Sequence, residues 1–302
     1  MRRGILYAVI AYLAWGLLPL YWNLFQSMGS LEILAHRVVW SFLFVGIILT
    51  ITRRWGHLRS SLPDMKSKIA MVACSLTISA NWLIFIWAVT HGRVMETSLG
   101  YYMNPLISVF FGVLFLKEKL SKGQWTALAL AAVGVLFLTV QYGTFPWVAL
   151  TLALTFALYG LAKKLLRMDG IIGVTWETLL VTPIALLYLA MLQADGSEAA
   201  WAMEGWKIVL LTLAGAATAL PLMWFTEATR RLPLSTIGFI QYLSPTMSLI
   251  TAVFLFGEPF TTTHLISFSC IWAALVVFTV SSIRKKSPSM PNQEEVALKE
   301  QA

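Results

Sequence analysis

Ten stretches of this chain are apolar for about twenty residues at a time, and no other feature constrains its fold as strongly. They cover roughly 4–24, 33–52, 69–90, 97–116, 122–140, 145–162, 173–192, 207–226, 234–256 and 262–283. A helix rises about 1.5 Å per residue, so a run of about twenty residues crosses a hydrocarbon layer about 30 Å thick. The runs are continuous rather than alternating, which excludes a membrane β-barrel. Of the 302 residues, 58 % are hydrophobic and only 12 % charged. That charge content is about half of what a soluble domain carries. The expected fold is an all-α polytopic membrane protein with ten transmembrane helices.

The cations set an expected topology. Arg2, Arg3, Arg53, Arg54, Arg59, Lys66, Lys68, Lys117, Lys119 and Lys122 fall on one side of the ten spans. Lys163, Lys164, Arg167, Arg230, Arg231, Arg284, Lys285, Lys286 and Lys299 fall there too, making nineteen of the 22 Lys and Arg. Arg93 and Lys207 fall on the other side, and Arg37 lies inside a span. Short basic loops stay in the cytoplasm, so both termini are expected there. The first run is too long for a signal peptide and is followed by no small-residue cleavage site. Residues 285–302 are polar with no apolar face and read as a disordered cytoplasmic tail.

The net charge of +8 is used up in this topology and gives no reason to expect nucleic acid. Cys74 and Cys270 lie singly in apolar runs, where a free thiol packs as a small hydrophobe. They offer no metal or redox spacing. Neither a cofactor nor a metal is expected.

An internal repeat appears when the chain is shifted by 140 positions. Tyr102 then falls on Tyr242, Pro105 on Pro245, Ser108 on Ser248 and Glu118 on Glu258. Ala and Val coincide often by chance between apolar segments, whereas Pro, Tyr and Glu are rarer there. Each half holds five spans, an odd number, so the second half is expected to enter the membrane from the opposite face. Inverted repeats of this kind typify secondary transporters, whose substrate site lies near mid-membrane where the halves meet. The expected units are 1–141, 142–284 and the tail 285–302.

Polar groups within the spans are costly and so mark candidates for function. Arg37, in the outer part of the second span, is suited to an anionic or carbonyl group of a substrate, to pairing with a carboxylate, or to anchoring at the interface. Its repeat mate Glu177 is a candidate to take up a proton during a cycle, or to sit in a structural ion pair. Asn81 lies mid-span beside Trp82, with Trp87 farther along, where the two indoles could wall a flat apolar or cationic substrate. Pro105 and Pro245 each remove one backbone hydrogen bond, which makes them hinge candidates. Tyr101, Tyr102, Asn104, Gln241, Tyr242 and Ser244 occupy the disturbed turns and complete the candidate substrate site. Glu118 and Glu258, just past their helices, read as loop anchors. Glu227 reads as a local i,i+4 partner of Arg231. The stripes Ala149/Ala153/Ala157 and Ala127/Ala131 read as packing faces, internal or dimeric.

Five stretches carry a family resemblance: AYLAWG at 11–16, EILAHRVVWS at 32–41, NWLIFIWAV at 81–89, SLGYYMNPL at 98–106 and LSTIGFIQYLSPT at 234–246. Together they resemble RarD-type proteins of the EamA branch of the drug/metabolite transporter superfamily, over nearly the whole chain. The resemblance implies ten helices in two inverted five-helix halves, a bacterial inner-membrane location and export of small organic molecules. The expected partners are a small-molecule substrate and the lipid bilayer, with protons as a candidate coupling ion and both monomer and homodimer open. No phosphate-binding loop is present, so direct use of ATP is not expected. The rival readings are an integral membrane enzyme acting on lipid or prenyl groups and a non-transporting structural protein. Such an enzyme would need a motif of the HExxH or GxSxG kind, and the sequence has neither.

Overall fold

The computed structural model describes residues 2–25, 27–62, 64–90, 93–143, 145–166, 168–200, 203–255 and 261–284, and among them no strand occurs. The first half consists of α1 (Arg2–Trp22), a 3₁₀ turn (Asn23–Phe25), α2 (Ser30–Ile51), the short α3 (Trp55–Ser60), α4 (Met65–Thr90), α5 (Val94–Leu116) and α6 (Lys122–Tyr142). The second half consists of α7 (Trp147–Leu166), α8 (Gly170–Ala194), α9 (Gly205–Arg231), α10 (Leu234–Gln241), α11 (Leu243–Leu255) and α12 (Thr262–Arg284). Nine of these helices are long and apolar enough to cross a membrane, among the described residues. The expected single span over 234–256 is instead divided at Tyr242 into α10 and α11, neither of which has that length alone. Pro245 contributes, having no N–H to bond the Gln241 carbonyl one turn earlier, although α5, α8 and α9 run unbroken through Pro105, Pro183 and Pro221. The repeated Gly257-Glu258-Pro259 and the tail 285–302 lie outside the described residues.

Helix starts in an apolar medium leave N–H groups that water cannot reach. Carboxylates satisfy them here, several reaching from another helix. Asp169 caps α8 itself, accepting from Ile171 N at 3.0 Å and Ile172 N at 3.5 Å. Glu227 of α9 accepts from Gly170 N at 3.1 Å, so α8 is tied to the end of α9. Glu96 accepts from Val148 N at 3.3 Å at the start of α7. Glu118 accepts from Leu234 N at 2.6 Å and Ser235 N at 2.9 Å at the start of α10. Glu32 accepts from Ala200 N at 2.9 Å in the α8–α9 connection. The expected local role of Glu227 therefore extends to a second helix, and the anchor expected at Glu118 has its partner.

The Glu118 contact depends on its surroundings. Lys117 ends α5 in the left-handed conformation, φ 53°, and turns the chain back so that Glu118 N meets Gly112 O at 3.1 Å. A Cβ at Gly112 would sit 2.9 Å from Glu118 Oε2. Only glycine leaves room for the carboxylate at that point.

Packing pairs run through the whole bundle: α6 with α12, α5 with α7 and α10, α2 with α8 and α9, α4 with α7 and α8, and α1 with α9 and α11. The alanine stripes are internal. Ala149, Ala153 and Ala157 are fully buried, and Ala149 lies against Gly100 of α5. Ala127 and Ala131 are buried with Phe268, Ile271 and Ala274 of α12. Basic residues gather at one end of the bundle. Arg54 meets Asp169 at 3.1 Å, Arg230 meets it at 3.8 Å, and Lys164 donates to Thr229 O at 2.9 Å. The start of α1 lies at that end, with Gly4 against Arg231. Arg93 lies at the opposite end, with its guanidinium 5.1 Å from the ring centre of Trp147.

Candidate functional site

Inside the bundle, five of the long helices and the α10–α11 junction wall a cavity of about 80 Å³. A single water needs on the order of 10–15 Å³ by the same kind of measure, so several fit. From α1 come Tyr12, Trp15, Leu18 and Trp22; from α2, Arg37; from α4, Asn81, Trp82 and Phe85. Tyr101 and Asn104 come from α5, Phe156 from α7, Gln241 from α10, and Ser244 and Pro245 from α11. No carboxylate is among these lining residues.

Among the described residues, Arg37 carries the only full charge on that wall. It is 6 % exposed, and its guanidinium carbon lies 4.3 Å from the ring centre of Trp22 and 4.7 Å from that of Trp82. Its Nε donates to Thr218 Oγ1 of α9 at 3.3 Å. Three helices besides its own thus hold it. Cation–π contacts of this kind contribute about 0.5–2 kcal/mol each, more where water is excluded. No carboxylate pairs with Arg37 within 4.0 Å among the described residues.

The amide of Asn81 is oriented by α7, its Nδ2 donating to Leu152 O at 2.9 Å and Thr155 Oγ1 at 2.8 Å. Tyr12 donates to Gln241 Oε1 at 3.4 Å, joining α1 to α10 across the wall. Trp15 packs edge-on to Phe156 with ring centres 5.5 Å apart. The two prolines enter through the residues one turn earlier. Pro105 cannot bond the Tyr101 carbonyl and Pro245 cannot bond the Gln241 carbonyl, and both Tyr101 and Gln241 line the cavity.

Of the residues the sequence singles out, Arg37, Asn81, Trp82, Tyr101, Asn104, Gln241, Ser244 and Pro245 meet around this one space. The others lie elsewhere. Tyr102 is one position, about 100°, around α5 from Tyr101. It packs on Phe268, with ring centres 5.0 Å apart, and donates to Pro245 O at 3.3 Å. Tyr242 is buried among α5, α6 and α12 residues, its hydroxyl without a hydrogen-bond partner among the described residues. Trp87 packs on Trp147 at 5.5 Å. α5 runs unbroken through Pro105, which is not in the cavity wall; its carbonyl lies 2.9 Å from where a Cβ of Gly238 would stand.

Glu177 also lies away from the cavity. It is 3 % exposed and 2.5 Å from the ammonium of Lys163, itself 1 % exposed. The two atoms are close but not aligned as a hydrogen bond. Tyr159 donates to the other carboxylate oxygen at 3.1 Å, and Cys74 lies alongside. At the start of α2, Glu32, His36 and Glu198 bring one ligand atom each to within 4.8 Å of one another. This is a brace in which His36 Nε2 lies 3.5 Å from Glu198.

The sequence reading missed the α1 contribution, Thr218 and Lys163. Tyr12, Trp15, Leu18 and Trp22 fall at steps of three, three and four, one face of a helix, and that spacing was available as a signal. Lys163 was taken for a loop cation because the sixth span was ended at 162, whereas α7 runs on to Leu166.

The fold and its interior define a multi-pass helical membrane protein with a polar cavity enclosed by aromatic residues. The chain belongs to the EamA-like transporter family, which matches residues 2–140 and again 146–280. It is 45 % identical over 291 residues to a protein of Bacillus subtilis called uncharacterized transporter YojE, covering 95 % of this chain and 97 % of that one. It is 40 % identical over 284 residues to protein RarD of Escherichia coli, with 93 % and 95 % covered. A Pseudomonas aeruginosa protein called chloramphenicol-sensitive protein RarD is 32 % identical over 286 residues, with 93 % and 95 % covered. A solved crystal structure shares the fold at 17 % identity, with a TM-score of 0.73 over 94 % of this chain and 99 % of that one.

Proposed function

We propose that the protein is a secondary transporter that exports small organic molecules across the bacterial inner membrane by alternating access. The observation that carries this reading is the cavity where Arg37, Asn81, Tyr101 and Asn104 of the first half face Gln241 and Ser244 of the second. Polar groups drawn from both halves of an apolar bundle have no packing reason to converge on open space. A site for cargo between two repeats gives them one.

The proposed units are 1–141 and 142–284, two five-helix halves of opposite direction, with α10 and α11 together serving as the tenth span. Three observations support this. The family matches twice along the chain. Exchanging the halves turns the pair α4–α7 into α9–α1 and the pair α2–α9 into α8–α4, both of which occur. α1 leaves from the basic end of the bundle, whereas α7 begins beside Arg93 at the other end. The basic end is taken as cytoplasmic, with both termini there. Glu177 already has its charge met by Lys163, so the proposal gives that pair a structural part and assigns no proton to it.

The test is counterflow in proteoliposomes made from the purified full-length protein, using a panel of small amphiphiles. Saturable flux that falls in Arg37→Met is expected. Flux unchanged in that variant would remove the cavity from the reading. Turnover of a lipid or prenyl compound in place of flux would replace the transporter by an enzyme.

A further inference from the structure

We infer that the cavity takes an organic monoanion: a single carboxylate on an apolar body of about one ring, with the acid group held by Arg37. The inference rests on the transporter reading for the fate of the ligand, but its physical basis is separate. Arg37 sits 6 % exposed with no carboxylate in reach among the described residues. A buried cation in an apolar medium is costly until it is paired. The two indoles against it offset part of that cost, and Nε is given to Thr218. What the guanidinium has left to offer is its terminal pair of amino groups. That edge is planar and forked, and it matches the two oxygens of a carboxylate.

The rest of the wall narrows the class. Among the described residues it has no Asp or Glu, so an organic cation would meet like charge with nothing to neutralise it. A neutral compound would leave Arg37 uncompensated. A dianion would neutralise Arg37 and carry one excess negative charge into the bundle. Only a monoanion closes the balance. Trp82, Phe85 and Phe156 supply the apolar surface for its body, and the space of about 80 Å³, smaller than the roughly 150 Å³ of a cavity that takes benzene, limits that body to a single ring at most.

The experiment uses matched probes that differ only at the acid group. Phenylacetate, phenylacetamide and phenethylamine, then indole-3-acetate, indole-3-acetamide and tryptamine, are titrated calorimetrically into the detergent-solubilised full-length protein. At least one acid is expected to bind about tenfold or more tighter than its amide, and the amines not at all, since charge-assisted bonds exceed neutral ones by about that factor. In Arg37→Gln the acid and amide should bind within about twofold of each other. Arg37→Lys should keep part of the preference. The wild-type comparison stands alone if a variant does not fold. Equal binding of amide or amine, no binding by either acid, or a preference unchanged in Arg37→Gln overturns the inference. Counterflow with the same probes separates it from the broader reading. Flux without acid preference sinks the monoanion and leaves the transporter; acid-selective binding without flux does the reverse.

Discussion

Arg37 and Lys163 are both buried cations in an apolar bundle, and the protein treats them in opposite ways. Lys163 has a carboxylate 2.5 Å away, and that carboxylate also accepts from Tyr159. Arg37 has two indoles, one threonine and open space. Under the proposed repeat, Glu177 is the counterpart of Arg37, so equivalent places would hold a finished pair in one half and an unfinished one in the other. A closed pair holds helices together; an open charge waits for a partner from outside. The contrast teaches that burial of charge alone does not single out the proposed site; among the described residues it is the absence of a counter-charge that sets Arg37 apart from Lys163.

The comparison can be broken first at Lys163. Lys163→Met strands Glu177 in the core and should cost about 3–5 kcal/mol of stability, while Lys163→Met/Glu177→Gln should recover most of it. Thermal unfolding in detergent reads both, and a single variant as stable as the double would mean that the pair is not a clamp. Next comes Glu118→Ala, which removes the acceptors for Leu234 N and Ser235 N and should cost about 1–2 kcal/mol. Glycine in place of Lys117 should cause no such loss, since its φ of 53° suits glycine. Smallest in stability, and largest in function, is Arg37→Gln. It should leave the unliganded protein within about 1 kcal/mol of wild type, because it trades two indole contacts for relief of a buried charge. It should also cut counterflow at least about tenfold. A large loss of stability together with retained flux would reverse the roles assigned to the two cations. Finally, Cys74, buried beside the Lys163 pair, should resist a maleimide in wild type and react faster in Lys163→Met, as mass spectrometry would show.

Much of the architecture was legible because hydrocarbon imposes a single length rule on every helix. The first five runs were read within a few residues of α1, α2, α4, α5 and α6. The failures share a cause: the rule measures how apolar a run is, not which way its side chains point. Tyr101 and Tyr102 look equivalent in sequence, but one position of helix rotation sends the first to the cavity and the second to Phe268. Lys163 falls one residue past the span expected over 145–162 and reads as a loop cation, while its partner lies in another helix fourteen positions on. The anchors Glu32, Glu96 and Glu118 reach across the fold to N–H groups that no local pattern names. Trp22 is hidden by abundance, for with thirteen tryptophans in the chain the helix-face spacing it shares with Tyr12, Trp15 and Leu18 does not stand out.

The lash from Glu118 to the start of α10 has a practical consequence. The closing turn of α5 and the opening turn of α10 cannot separate without exposing two backbone donors, so that corner should keep its distances throughout any working cycle. It is a fixed reference on the molecule. Spin labels placed around it would give a constant reading against which displacement of α1 or α2 can be measured, and any drift there would count against the lash itself.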